Sequence, residues 1–350
     1  MNSFQHLHQP TGRIIQHKEL DYLFFGGTAY MGLLDNSAYI ELFKAGIDRY
    51  GLNNGTSRNN NVQLGIFEDA ELDMALRFGF EAACLLSSGY LAAQLAVRKL
   101  AELGTLVYAP STHPALWLNG PPDIKQSFPE WLSQTIAMIN AAAEDSFVVI
   151  ANSLDNLTPE EYDFSEFEKI SKSKKVYLLI DDSHGLGVRE PNSCFVKMDA
   201  LRKHKSLELI VVASLAKGMG TDAGIILSSQ AMSNFFKESP IFRGASPSSP
   251  AALFALIIGE TIYKSQQAKL QANIAYLALH SPANVKHVSG FPVFTVARDT
   301  AFIELQMRQI LISSFPYPMP TDPLVNRIVL TANHTQADLD RLLSVLREWD

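Results

Sequence analysis

Four short stretches of the chain hold residue types that could do chemistry. The first is Ser214-Leu215-Ala216-Lys217-Gly218-Met219-Gly220, which follows an apolar run at 209–213. Small neighbours around Lys217 let a bulky ligand approach the backbone. A lysine withdrawn from water becomes a Schiff-base nucleophile. A phosphate loop is excluded, because the Gly-x-x-x-x-Gly-Lys-Ser/Thr order is missing. The second stretch is Asp181-Asp182-Ser183-His184-Gly185-Leu186-Gly187, after an apolar run at 176–180. A carboxylate at such a place needs a cationic partner. A protonated ring nitrogen would be one for Asp181, with His184 one short turn away as a hydrogen-bond partner. The Asp-x-x-His spacing also suits a metal, but no third ligand stands nearby. The third, Ser87-Ser88-Gly89-Tyr90, lies between a run at 82–86 and a helical pattern from Leu91. Backbone amides at a helix N-terminus make an anion site. The fourth is His113 in Pro110-Ser111-Thr112-His113-Pro114, past a run at 105–108. Its flat ring could stack on a planar ligand. Singly, each stretch also suits a plain structural part: a surface lysine in a turn, a turn aspartate with a packed histidine, a serine N-cap, a loop histidine.

The elements that must position these residues are legible around them. Runs at 82–86, 105–108, 147–151, 176–180, 209–213 and 223–227 are apolar throughout and of strand length. Helical patterns at 91–103, 131–143 and 164–171 separate several of them. This alternation predicts an α/β domain with a mostly parallel sheet covered on both faces. All four stretches then fall beyond strand ends on one sheet edge, where open α/β sheets bind ligands. An anion cradle, a stacking group, a carboxylate for a ring nitrogen and a lysine for an aldehyde match pyridoxal 5′-phosphate. From about residue 250 the pattern changes. A long helix over 251–275 leads to a small α+β region: strand 294–296, helix 303–311, strand 327–330 and a last helix. Thr335 with Asp338 forms a capping box for that helix. The proline-dense stretch 316–323 reads as a loop. The reading divides the chain into an N-terminal segment (1–36), a large cofactor-binding domain (37–250) and a linking helix with a small C-terminal domain (251–350).

Composition bounds the rest. A chain of 350 residues predicts about two domains with a large core. Lys plus Arg is 29 and Asp plus Glu 36, a formal net charge of −7. With no basic surplus, nucleic acid is not the expected partner. Two cysteines, Cys84 and Cys194, exclude a disulfide framework and a Cys-rich zinc site, and fit a reducing cytoplasm. Residues 1–10 are polar and carry no signal-peptide pattern. No stretch gives about 18 consecutive apolar residues, so no membrane span is expected.

On these motifs the chain resembles the α-oxoamine synthases, the group of fold-type I pyridoxal-phosphate enzymes that includes 8-amino-7-oxononanoate synthase and serine palmitoyltransferase. The resemblance runs from about Tyr22 to the end. Supporting pieces are Tyr50-Gly51, Gly55-Thr56-Ser57-Arg58 and 327–334, Arg-Ile-Val-Leu-Thr-Ala-Asn-His. The resemblance implies that Lys217 is the Schiff-base lysine. Asp181 would hold the pyridine nitrogen protonated, His184 would hydrogen-bond the phenolic oxygen, and His113 would stack on the ring. Ser88, Gly89 and Tyr90 match the phosphate-binding turn and Ser214 a phosphate-binding hydroxyl. Ser153 aligns with a serine near the cofactor, and Arg327 with the arginine that grips the amino-acid carboxylate. Three places depart from the family. Its usual Asn-x-Tyr-Leu-Gly reads Thr28-Ala29-Tyr30-Met31-Gly32 here, so Thr28 replaces an Asn that helps hold the carboxylate. A Ser-Thr pair that reaches the neighbouring subunit's phosphate is replaced by 242–247, Phe-Arg-Gly-Ala-Ser-Pro. There Arg243 stands as a substitute contact or as a binder of a different anionic substrate. Residues 59–63 lack the usual Gly and His.

The implied activity is an acyltransferase that condenses a small amino acid with an acyl-CoA, in a homodimer whose sites lie at the subunit interface. The departures keep two alternatives open: transamination, or a lyase or decarboxylase step, on the same cofactor; and a non-catalytic, cofactor-binding role.

Overall fold

The computed structural model describes residues 4–349 apart from positions 156 and 318. Six strands form the central sheet, in the order Ala82–Leu86, Gly224–Ser228, Leu207–Ser214, Lys175–Asp181, Ser146–Asn152, Thr105–Tyr108. The last four run parallel to one another. Gly224–Ser228 is antiparallel to both of its neighbours, which points Ala82–Leu86 the same way as the parallel set. Successive side chains leave opposite faces of a strand. Val149, Leu178, Ile180 and Val211 therefore enter one core, and Val148, Ile150, Leu179, Ile210 and Val212 the other. Two buried faces explain why these strands read as unbroken apolar runs.

A second six-stranded sheet joins the two ends of the chain, in the order Ile14–His17, Leu20–Phe25, Ile310–Pro316, Leu324–Val329, Val293–Val296, Val285–His287. Leu20–Phe25 pairs parallel with Ile310–Pro316, and the other pairings are antiparallel. Side chains reinforce the join. His334 Nε2 lies 2.9 Å from the Phe24 carbonyl, and its ring stacks on Phe25 at 4.2 Å between centroids. Arg13 pairs with Asp338 at 2.9 Å, and Asn333 Nδ2 donates to the Gly32 carbonyl at 3.0 Å. The N-terminal segment is thereby held against the element that carries Arg327.

Three expected elements differ. The single helix over 251–275 is two, Pro250–Ile258 and Glu260–His280, broken at Gly259. A Cβ on Gly259 would meet the Ala255 carbonyl at 2.7 Å and the Tyr39 ring at 3.1 Å. The helix expected over 303–311 ends early, at Ala301–Met307. Gln309 turns the chain with φ 56°, and Ile310–Pro316 is a strand. Pairing of Ile310, Leu311 and Ile312 with Leu23–Phe25 overrides the helical pattern there. The helix expected over 164–171 is a short 3₁₀ turn, Ser165–Lys169. The capping box forms as read. Thr335 Oγ1 accepts from the Asp338 amide at 3.3 Å, and Asp338 accepts from the Thr335 amide at 2.7 Å. Position 318, inside the proline-dense stretch, lies outside the described residues, as do 1–3 and 350. Among the described residues no helix is long and apolar enough to cross a membrane.

Candidate active site

The parallel strands end side by side, and the residues just past their ends converge. His113, Asn152, Ser153, Leu154, Asp181, His184 and Lys217 line one cavity. Five of the residues singled out from the sequence are thus brought together.

Lys217 follows strand Leu207–Ser214 in a tight turn closed by Thr221 and Gly220 amides donating to the Leu215 and Lys217 carbonyls. Gly220 sits at φ 57°, the left-handed region that favours glycine. Burial pushes the Lys217 ammonium below its ordinary range. Asp181 opposes that shift and the Arg327 guanidinium adds to it. A lysine in this setting keeps a larger neutral fraction near pH 7 than a free one, which nucleophilic and basic roles need. Asp181 is the last residue of strand Lys175–Asp181 and is buried. Its Oδ1 accepts from the Ser183 amide at 2.9 Å. Ser183 Oγ accepts from the Ser214 amide at 2.8 Å, tying the two strand ends together.

His113 caps a short 3₁₀ turn, its Nδ1 accepting from the Ala115 amide at 3.1 Å. Its own amide donates to Asn152 Oδ1 at 3.2 Å, and Asn152 Nδ2 donates to the Ser111 carbonyl at 2.6 Å. Ser111 is held at φ 55°, a strained conformation for a non-glycine residue of the kind that clusters at functional sites. Burial pushes the His113 imidazole down, Asp181 opposes it and Lys217 adds to it. His184 is driven well below its ordinary value by burial, then by Lys217, Arg327 and His113. Both rings are therefore neutral at pH 7. Ser153 is buried, as is the neighbouring Asp182, whose Oδ2 accepts from the Phe195 amide at 2.9 Å and whose carboxyl burial pushes up to about 7.

Ser88 caps helix Gly89–Leu100, its Oγ accepting from the Leu91 amide at 3.2 Å. A Cβ on Gly89 would stand 2.5 Å from Ser214 Cβ, and one on Gly224 would stand 2.0 Å from the Ser88 carbonyl oxygen. Only glycines let the helix N-terminus close onto Ser214 this tightly. Ser88, Gly89 and Ser214 thus form one cradle with helix amides facing it.

Arg327 lies in strand Leu324–Val329 of the second sheet. It is 4% exposed, yet among the described residues its Nε and Nη2 have no hydrogen-bond partner. Buried guanidinium groups are seldom left so. The guanidinium is close enough to Lys217, His184 and Tyr30 to act on each electrostatically. Two parallel donors of this kind suit a carboxylate.

Three of the singled-out residues fall outside the cavity and the cradle alike. Thr28 lines a neighbouring one with Gly26, Gly27, Ala29 and Ala216, beside Lys217 in sequence. Tyr90 is 60% exposed. Arg243 is exposed on the surface, its Nε donating to Asn59 Oδ1 at 3.0 Å. Two residues escaped the sequence reading. Tyr30, in the segment quoted for Thr28, places its hydroxyl 2.7 Å from His184 Nδ1. Tyr317 senses Asp181, Asp155 and Arg327, and burial with the two carboxylates pushes its phenol up to about 12. Tyr30 and His184 are 154 positions apart, and no local pattern announces such a contact.

The residues present fit pyridoxal phosphate: an anion cradle at one end, a buried carboxylate at the other, a flat imidazole and a lysine of lowered basicity between them. Fold and site together define a fold-type I, pyridoxal-phosphate-dependent transferase. More particularly, the chain belongs to the aminotransferase class I and II family, whose model matches residues 129–346. It is similar to the 8-amino-7-oxononanoate synthases of Citrobacter koseri, with 24% identity over 97% of this chain and 92% of that protein, and of Aliivibrio fischeri, with 22% identity over 93% and 88%. Among solved structures, a serine palmitoyltransferase from Sphingomonas wittichii superposes with a TM-score of 0.80 at 16% identity, covering 98% of this chain and 90% of that one. The 8-amino-7-oxononanoate synthase of Francisella tularensis gives 0.68 at 16% identity, covering 94% and 97%. At such identities the superpositions show the fold alone.

Proposed function

We propose that this transferase is an acyltransferase of the α-oxoamine synthase type, which condenses a small amino acid with an acyl thioester, acyl-CoA foremost. The observation that carries the reading is Arg327: a buried guanidinium with two unpaired donors beside the Lys217 cavity. Such a group asks for a carboxylate and gives an amino acid a fixed orientation. The likeness to proteins named 8-amino-7-oxononanoate synthase supports the acyl-transfer side.

Pyridoxal phosphate, when bound, supplies an aldehyde for the amino group and an electron sink for the α-carbon. Lys217 would hold the cofactor and, once released, take the α-proton at Nζ. Its lowered basicity leaves Nζ free to accept that proton near neutral pH. Asp181 would keep a proton on the ring nitrogen, since a buried carboxylate is stabilised by a cation at its side. His113 would cover the ring face. His184 would donate to the ring oxygen, and Ser88, Gly89 and Ser214 would receive the phosphate. Arg327 would hold the substrate carboxylate, with Thr28 in the adjoining cavity. The exposed Tyr90 and Arg243 fit a homodimer in which a partner covers them. Over the whole reaction, the α-carbon–acyl bond forms while the C–S bond of the thioester and the α-carbon–carboxylate bond break; the thiol leaves with a proton, carbon dioxide leaves, and a proton takes the place of the carboxylate on the α-carbon.

The test mixes the cofactor-loaded protein with amino acids and acyl-CoAs and follows free thiol. Release with at least one pair, dependent on both substrates, supports acyl transfer. No release with any pair sinks it. Conversion of bound pyridoxal phosphate to pyridoxamine phosphate by an amino acid alone would favour transamination, the reaction that the family's name records.

A further inference from the structure

Tyr30 is fully enclosed beside the site. It is 0% exposed. Its hydroxyl lies 2.7 Å from His184 Nδ1, and the Arg327 guanidinium is near enough to act on the phenol electrostatically. The backbone pins it: the Tyr30 carbonyl accepts from the Ala332 amide at 2.9 Å, and its ring meets Phe291 edge-on at 6.3 Å between centroids. Tyr30 therefore bridges the two sheets at the floor of the site.

The donors and acceptors in this bridge can be assigned. The phenol keeps its proton, because burial pushes it up to about 12. Among the described residues, His184 Nδ1 is the acceptor that this proton has. His184 is neutral at pH 7, so accepting at Nδ1 leaves its one N–H at Nε2. His184 also lines the cavity with Lys217 and Asp181.

We infer that Tyr30 is a positioning residue, which fixes His184 as the Nε2–H tautomer so that its proton is presented to the cofactor's ring oxygen. This rests on the proposed function for what the proton meets, but not for where the proton is.

The test is ¹⁵N NMR of histidine-labelled, cofactor-loaded protein, with the His184 signals assigned by their loss in His184→Gln. The wild type should show Nε2–H and unprotonated Nδ1, unchanged from pH 6 to 9. In Tyr30→Phe the buried Nδ1 loses its donor, and the signals should move to an Nδ1–H form or to a tautomer mixture. In the same variant kcat should fall roughly 10- to 100-fold, the range for leaving a buried group unpaired, with the acyl-donor KM within about threefold. Nδ1–H in the wild type, or an unaltered Nε2–H signal in Tyr30→Phe, would overturn the inference. The wild-type spectrum decides even if the variant fails to fold. If the protein takes up no pyridoxal phosphate, the proposed function fails, while the tautomer of the apoprotein still tests the Tyr30 assignment.

Discussion

Replacing Arg327 by methionine separates a binding arginine from a structural one. The guanidinium is 4% exposed and holds two unpartnered donors. If these donors wait for a carboxylate, each charge-assisted hydrogen bond contributes about 1.5–3 kcal/mol. Two at the lower end give about 3 kcal/mol, so kcat/KM for the amino acid should fall roughly 10²- to 10³-fold. The acyl donor does not touch this group in the proposal, and its KM should stay within about threefold. Stability should move the other way. A buried cation without a partner destabilises the empty protein, and an apolar side chain of similar volume removes that cost. The apoprotein melting temperature should therefore hold or rise by roughly 1–4 °C. The pH profile gives a third readout. Arg327 pushes Lys217 down, so its removal lets the Lys217 ammonium rise. The limb of the kcat profile, where Lys217 has been released and must be neutral, should then shift to higher pH. Steady-state kinetics with varied amino acid, together with melts of the apoprotein, measure all three. A melting temperature lowered by several degrees with amino-acid kcat/KM nearly intact would mean that Arg327 is structural, and the carboxylate assignment would be wrong.

Gly89→Ala should lower pyridoxal phosphate affinity by roughly 10- to 100-fold, because its Cβ would sit 2.5 Å from Ser214 Cβ and overpacking of this kind costs about 1–3 kcal/mol. Equilibrium titration of the apoprotein by absorbance measures it, and an unchanged Kd would remove the cradle assignment. His334 should make the protein acid-sensitive. Burial holds its imidazole down at about 4 while the Phe24 carbonyl and Asp338 oppose the shift. An unfolded histidine binds protons from about pH 6.5 downward, so stability is full above that value and is lost as pH falls from there toward 4. Melts of the wild type and His334→Gln over that range should converge at low pH, and parallel curves would count against this cause. Sedimentation should give a homodimer, and Arg243→Glu should weaken it or leave the amino-acid half of the reaction intact while altering acyl-donor KM. A monomeric, fully active wild type would contradict the placing of Arg243 and Tyr90 at an interface.

The site was legible where chemistry follows strand ends. Asp181, His113 and Lys217 each stand just past an apolar run, and a parallel sheet carries such positions to one edge. Two-sided burial made those runs visible, since no polar face interrupts them. What was not legible depends on contacts distant in sequence. Tyr30 reaches His184 across 154 positions. The pairing of Leu20–Phe25 with Ile310–Pro316 crosses nearly the whole chain, and it turned an expected helix end into a strand. Gly259 looked like a tolerable glycine within a helix, yet the Tyr39 ring and the Ala255 carbonyl crowd its place and the helix breaks there. The unpaired state of Arg327 was also invisible, because a sequence shows that an arginine is present but not that its donors lack partners.

If Lys217 carries the cofactor, borohydride reduction of the pyridoxal-phosphate-loaded protein followed by peptide mapping should yield one pyridoxyl group per chain, on the peptide that contains Lys217, and none after Lys217→Ala. A label on any other lysine, or no label in protein that has taken up pyridoxal phosphate, would contradict it.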